Sequence, residues 1–279
     1  MGDLGKDTAV RGGDGRYTAT LSRDWEIWGP QGGYIAAVAL RAAGAHSRFP
    51  RPASIVGHFL GVADFRDVDI VTVTKRAASR AESIAVSMTQ DGKPIFEALV
   101  WAVAEDVDGL THDRARFPDH VGAPEDYPTV QERIAALPEP PPSPPFPFWL
   151  NFESRPIEWV SNWEERTAGE PVWESWERYV VEPDPTDPYL CAARLLVLVD
   201  VGSWPGVVRL HVDTKGLYAP SLDIACEFHR IAPGSAPLLA RGESPSGAEG
   251  LIGTHQQVWS RDGELLASGV SQLLCRPAR

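Results

Sequence analysis

Two stretches of this chain carry the same pattern, and a chain that repeats itself at such spacing is confined to folds built from two copies of one unit. Ser221 to Arg230 is a run of strand-forming residues between Pro220 and Ala232-Pro233-Gly234, and Ala53 to Leu60 is a similar run. Each is followed by a strand, an Asp-Gly turn and another strand. Phe59 precedes Asp91 by 32 positions, and Phe228 precedes Asp262 by 34. Ahead of each run lies a segment made almost wholly of Ala, Val, Leu and Ile: Ile35 to Ala45 in the first half and Tyr189 to Val201 in the second. Their length suits helices and their all-round apolarity requires burial. Asp187-Pro188 supplies an N-cap and first-turn signal for the second helix.

The wrapper for the first helix is read from Arg16–Leu21, Ser54–Val62, Asp67–Lys75, Glu82–Thr89 and Ile95–Val103, strand-like segments joined by turns such as Asp91-Gly92. That is a β-α-β-β-β-β unit. In the second half Phe152–Trp159, Val172–Val181, Leu222–Ile231, Leu238–Ser244, Gly250–Trp259 and Glu264–Cys275 are the corresponding strands, with Asp262-Gly263 as a hairpin turn. Between the halves, Leu137 to Pro147 is so rich in proline that it is neither helix nor interior strand, and its interleaved Phe residues suggest packing on its own protein. The expected organisation is a unit over 1–104, a Pro-rich linker over 105–150 and a second unit over 151–279. Residues Met1 to Gly15, rich in Gly and Asp, are expected to be poorly ordered.

A net charge of −12 argues against nucleic acid or an anionic membrane as the main partner, because phosphate binding needs clustered Lys and Arg. Cys191, Cys226 and Cys275 lie among apolar residues with no C-x-x-C spacing, which reads as buried, reduced thiols rather than a disulfide framework or zinc site. The first residues show no apolar signal core and no run approaches a membrane span, so the expected compartment is the cytoplasm.

In order and spacing, Gly32-Gly33 opening the first helix, His58-Phe59-Leu60, Gln90 to Phe96, Asp223 to Arg230 with its Phe-His-Arg, and Asp262 to Ser268 resemble the double-hotdog acyl-CoA thioesterases of type II. The resemblance spans roughly Arg16 to Arg276 and weakens across the linker. It implies an α+β double hotdog in which each long helix is wrapped by a curved antiparallel sheet. It also implies an acyl thioester substrate, no cofactor or metal, and a homo-oligomer with Phe96, Trp101 and Trp259 as candidate interface aromatics. In that family an Asp, a Thr or Ser and a Gln of the second hotdog hold a water against the thioester carbonyl. They fall on Asp200, on Ser221, and on Ser271 or its neighbour Gln272. The family position is Ser271; Gln272 reaches the site if a one-residue bulge at Gly269 restores the strand phase. Gly32, Gly33, His58 and Ser271 are the candidate substrate-binding residues.

Hydrolysis of a thioester needs a base for water and a donor for the oxyanion. Asp200 fits the first need, with Ser221 and Gln272 orienting the water and a helix-terminus or strand N–H polarising the carbonyl. The bland alternatives are a solvated helix end for Asp200, a turn role for Ser221 and a satisfied core histidine for His229. No G-x-S-x-G elbow, no histidine with an Asp five positions before it and no phosphate-binding glycine loop is present. Besides thioester hydrolysis there remain a non-catalytic binder of acyl or hydrophobic ligands, and a hotdog enzyme acting on carrier-bound acyl groups.

Overall fold

The computed structural model describes residues 1–105, 107–139, 146–162, 165–231 and 236–278. In the first half β1 (Arg11–Gly13) and β2 (Arg16–Thr20) precede the central helix α2 (Gly32–His46), which leads to β3 (Arg51–Phe59), β4 (Asp67–Ala77), β5 (Ala81–Gln90) and β6 (Lys93–Val103). After the short α3 (Val130–Ala135), the second half runs β7 (Phe152–Pro156), β8 (Val172–Tyr179), α4 (Pro188–Val201) and α5 (Ser203–Leu210). It ends with β9 (Leu217–Tyr218), β10 (Asp223–Phe228), β11 (Leu238–Ala248), β12 (Leu251–Trp259), β13 (Leu265–Leu274) and β14 (Arg276–Pro277). The large sheet has the order β1-β2-β4-β5-β6-β3-β10-β13-β12-β11-β8-β7, and β9 and β14 pair separately. From β3 outward one half reads 3-6-5-4-2 and from β10 the other reads 10-13-12-11-8, so the strand order is mirrored about the β3–β10 seam. This is the expected double hotdog.

The register locates the pseudo-twofold. Val56 and Ala225 are 169 positions apart, as are Phe59 and Phe228, and Val56 faces Ala225 across the seam. The axis therefore passes between them. Both helices lie against the inner face of the sheet, and α4 is buried along nearly its whole length. Asp187 caps α4 as expected, its Oδ1 accepting from the N–H groups of Tyr189 and Leu190 at 3.0 Å. Pro188 to Leu210, taken together, is long and apolar enough to cross a membrane, yet most of it is enclosed by the sheet.

Three expectations about order and exposure are corrected. The N-terminus is ordered: α1 (Leu4–Asp7) buries Leu4, Trp25 Nε1 donates to Asp7 at 2.9 Å, and Gly2 N donates to Asn151 Oδ1 at 2.7 Å. Composition missed this because the anchors, Trp25 and Asn151, are distant in sequence. Phe96 and Trp259 are fully buried, Phe96 against Phe59 and Trp259 against Phe117, so of the three proposed interface aromatics only Trp101 is exposed. His229 is exposed too, and bonds Ser268 at 2.8 Å. In the Pro-rich tract Phe146 meets Trp28 edge to face with centroids 6.4 Å apart, the packing on its own protein that the interleaved Phe residues suggested, and just beyond it Phe148 is buried against Trp25. Positions 140–145 of the Pro-rich tract, and Trp163, lie outside the described residues. All three cysteines are free, Cys191 and Cys226 being buried and Cys275 partly so.

The outer face of the sheet keeps an apolar row across the seam. Leu99 pairs with Val56, Val56 with Ala225 and Ala225 with Val270. Leu99 and Val270 are themselves repeat mates, 171 positions apart, and with Val56 each is about half exposed. The row is thus symmetric about the axis.

Candidate active site

The site sits where the N-terminus of α2 meets the C-terminus of α4. The two helices run antiparallel and touch through glycine: a Cβ on Gly33 would lie 2.9 Å from Val197 Cα and 2.9 Å from Asp200 Cβ. One on Gly32 would lie 2.9 Å from Asp200 Oδ2 and 3.0 Å from Phe59. Gly32-Gly33 is therefore the contact that lets a carboxylate from one half reach the helix terminus of the other. Gln31 caps α2, its Oε1 accepting from Tyr34 N at 2.7 Å, and its Nε2 donates to Asp200 Oδ2 at 2.7 Å. Gly33 N donates to the same oxygen at 2.8 Å. Ser221 Oγ reaches the other oxygen, Oδ1, at 3.4 Å. Burial pushes the Asp200 carboxyl up to about 6, with the Gly33 N–H and the Ser221 hydroxyl pulling the other way. A carboxylate there also faces the positive end of the α2 dipole.

Asp200 and Ser221 line a cavity of about 430 Å³, a size within the roughly 300–1,000 Å³ of ligand pockets. Its walls are apolar, including Ile35, Phe59, Ile95, Phe148 and Leu273, and Trp28, Trp149, Trp204 and Tyr218 also line it. Trp28 and Tyr218 meet edge to face with centroids 5.1 Å apart. Arg276, the one Lys or Arg in the lining among the described residues, sits 5.8 Å over the Tyr218 ring. A long apolar group with a polar, anionic head fits such a shape.

The structure thus unites Asp200 and Ser221 and adds Gln31, which sequence reasoning passed over because a glutamine before Gly-Gly reads only as a helix cap. Gly32 lines the cavity, while the Gly33 N–H is taken up by Asp200. The register of β13 is continuous from Ala267 to Leu274 against β12 and shows no bulge at Gly269. Ser271 therefore points inward and Gln272 outward, exposed, its backbone N–H bonded to Asp223 Oδ1 at 2.9 Å. The assignment of Gln272 to the site is corrected on this ground. Ser271 is no substitute at the cavity wall: it is buried, and its hydroxyl donates to Asp223 O at 2.6 Å. His58 is likewise displaced. It lies on the outer face, exposed, opposite Asp223 and Glu97, and its neighbour Phe59 takes the inner position.

Only one of the two pseudo-equivalent junctions has this chemistry. Counted from the helix caps Gln31 and Asp187, Asp200 corresponds to Gly44, and Gly33 to Tyr189. At that second junction the Tyr189 ring fills the space over Gly44, where a Cβ would come within 2.5 Å of it. Its hydroxyl is spent on Phe49 O at 3.0 Å.

A mirrored pair of helix-and-sheet units with one carboxylate at an apolar pocket defines a double-hotdog protein. The acyl-CoA thioesterase N-terminal domain matches residues 21–103, and the acyl-CoA thioesterase C-terminal domain matches 124–275. The chain belongs to the acyl-CoA thioesterase family. Similar solved structures include a conserved hot dog fold protein from Alicyclobacillus acidocaldarius (21% identity, 99% of this chain and 98% of that one, TM-score 0.80). Another is the acyl-CoA thioesterase II TesB2 of Mycobacterium marinum (21%, 98% of each chain, 0.77). A third is the tesB protein of Mycobacterium avium subs paratuberculosis (22%, 98% of each chain, 0.72). At these identities they bear on the fold. No curated protein matches the chain.

Proposed function

We propose that the chain hydrolyses acyl-CoA thioesters to the free acid and CoA, with Asp200 as general base. The observation that carries this reading is the asymmetric hold on Asp200: Oδ2 is fixed by Gln31 and Gly33, and Oδ1 is left beside Ser221 at the cavity. A water next to Oδ1 gives its proton to the carboxylate and its oxygen to the carbonyl carbon. The tetrahedral oxyanion faces the N-terminus of α2, where Asp200 and Gln31 take the N–H groups of Gly33 and Tyr34 and Gly32 supplies the first N–H of the helix. When the C–S bond breaks, the proton on Asp200 goes to the departing thiolate. The apolar walls take the acyl chain, and Arg276 is placed for a phosphate of CoA.

The test is thiol release across a panel of acyl-CoA chain lengths and across pH. Because burial raises Asp200 and only its carboxylate accepts a proton, log kcat/KM should climb with unit slope up to about pH 6 and level off above it. A flat profile from pH 4.5 to 8 would remove Asp200 as the base. The outward turn of Gln272 favours a second reading, a non-catalytic acyl binder, which would show acyl-CoA affinity without thiol release.

We propose further that two copies associate through the outer face of the sheet. The row Leu99, Val56, Ala225 and Val270 has its own twofold character, so it can lie against a second copy of itself. Light scattering should give a multiple of 30.4 kDa, and Val56→Lys with Leu99→Lys should return the monomer. A wild-type monomer at micromolar concentration refutes this.

A further inference from the structure

The geometry points to Ser203 as the donor to the acyl carbonyl oxygen, held in place by Gln256; this rests on the thioester-hydrolase reading above. Gly202 between α4 and α5 keeps a right-handed helical conformation, φ −84° and ψ −6°. Ser203, three residues after Asp200, therefore stays on the same side of the chain, and both line the cavity. Its hydroxyl accepts from Gln256 Nε2 at 3.1 Å. The remaining partner for its proton is Thr254 Oγ1 at 3.4 Å, well beyond an ordinary O–H···O bond. Thr254 uses its own proton on Ser271 O at 2.9 Å. Ser203 thus lines the cavity, its hydroxyl oxygen engaged by Gln256 and its proton weakly held.

Gln256 is only 2% exposed, and its Oε1 finds no hydrogen-bond partner among the described residues. A half-satisfied buried amide is costly and calls for an explanation. The chain also makes room for it: a Cβ on Gly242 would lie 2.5 Å from Gln256 Oε1, and one on Gly202 would lie 2.9 Å from it. Two glycines on different elements leave a slot for this amide. With Gln272 outside and the Ser271 hydroxyl spent on Asp223 O, Gln256 is the buried glutamine of the second half, and it acts through Ser203. Ser203 is then the catalytic residue and Gln256 its positioning residue.

The test compares Ser203→Ala, Gln256→Leu and the double variant with wild type on one acyl-CoA, reading kcat, KM, the pH profile and thermal midpoint. Ser203→Ala should lower kcat by roughly 10²-fold, the usual loss for one oxyanion donor, with KM and the rise near pH 6 unchanged. Gln256→Leu should lose less, and the double variant no more than Ser203→Ala, since the glutamine acts through the serine. Should Ser203→Ala not fold, Ser203→Cys keeps the volume with a weak donor and is held to the same direction. A folded Ser203 variant with wild-type kcat, or losses that multiply in the double variant, overturns the inference. If the wild type releases no thiol from any acyl-CoA, the hydrolase reading itself fails. Loss of activity in Asp200→Asn beside a fully active Ser203→Ala rejects the Ser203 role alone.

Discussion

Asp200→Asn is expected to lower kcat for thioester hydrolysis by about 10²–10⁴-fold, the usual worth of a general base, while KM and the fold persist. The substitution keeps the shape: the Asn oxygen can take the place of Oδ2 and accept from Gln31 Nε2 and Gly33 N, leaving the amide nitrogen toward Ser221. What disappears is the lone pair that takes the proton from water, an interaction that matters in the transition state, so the loss falls on kcat. Thermal stability supplies an independent check. A carboxyl raised from 3.8 to about 6 in the folded state contributes stability that is full at pH values below 3.8 and lost as pH rises through about 6. At pH 8 the wild type has lost that contribution, whereas Asn has no charge to bury. The variant should therefore melt no lower than wild type at pH 8, and the gap should narrow toward pH 4. An Asp200→Asn protein with wild-type turnover would make Asp200 a structural helix end and end the proposed mechanism.

The fold was legible because its determinants are periodic: two all-apolar helices need enclosure, and the repeated strand, Asp-Gly turn and strand gave the enclosure twice. The turn after β5 bears this out, with Asp91 and Gly92 both at positive φ, 49° and 72°. The site was legible only in part. Asp200 stands out because an acid at the end of a buried helix is costly unless it is engaged. The partners of that acid were harder to read, since Gln31 lies 169 positions away and joins it through a helix crossing that no local pattern encodes. Gln272 failed because strand phase is absolute. Without a bulge at Gly269, one position separates inside from outside. Gln256 went unnoticed because its slot is formed by Gly202 and Gly242, which come together only in the folded sheet.

Gly33→Ala should be among the most damaging small substitutions in the chain, lowering both stability and turnover. The added methyl would sit 2.9 Å from Val197 Cα and 3.0 Å from Leu196 O. These are backbone atoms of a buried helix and cannot swing aside, so α2 and α4 must separate. Overpacking of this kind costs about 1–3 kcal/mol, which should appear as a clear fall in melting temperature. The same separation draws the Gly33 N–H away from Asp200 Oδ2, and a shift of about 1 Å at a reacting group can cost 10²-fold in rate. The pseudo-symmetric mate Gly44 separates the two effects. A Cβ there would meet the Tyr189 ring at 2.5 Å at the junction without an acid, so Gly44→Ala should lower the melting temperature and spare kcat in the folded protein. Gly13, where a Cβ meets nothing within 4 Å, serves as control and should tolerate Ala in both measurements. If Gly33→Ala and Gly44→Ala lose turnover equally, the rate depends on helix packing in general; if Gly33→Ala alone loses it, the α2 terminus and Asp200 work as one unit.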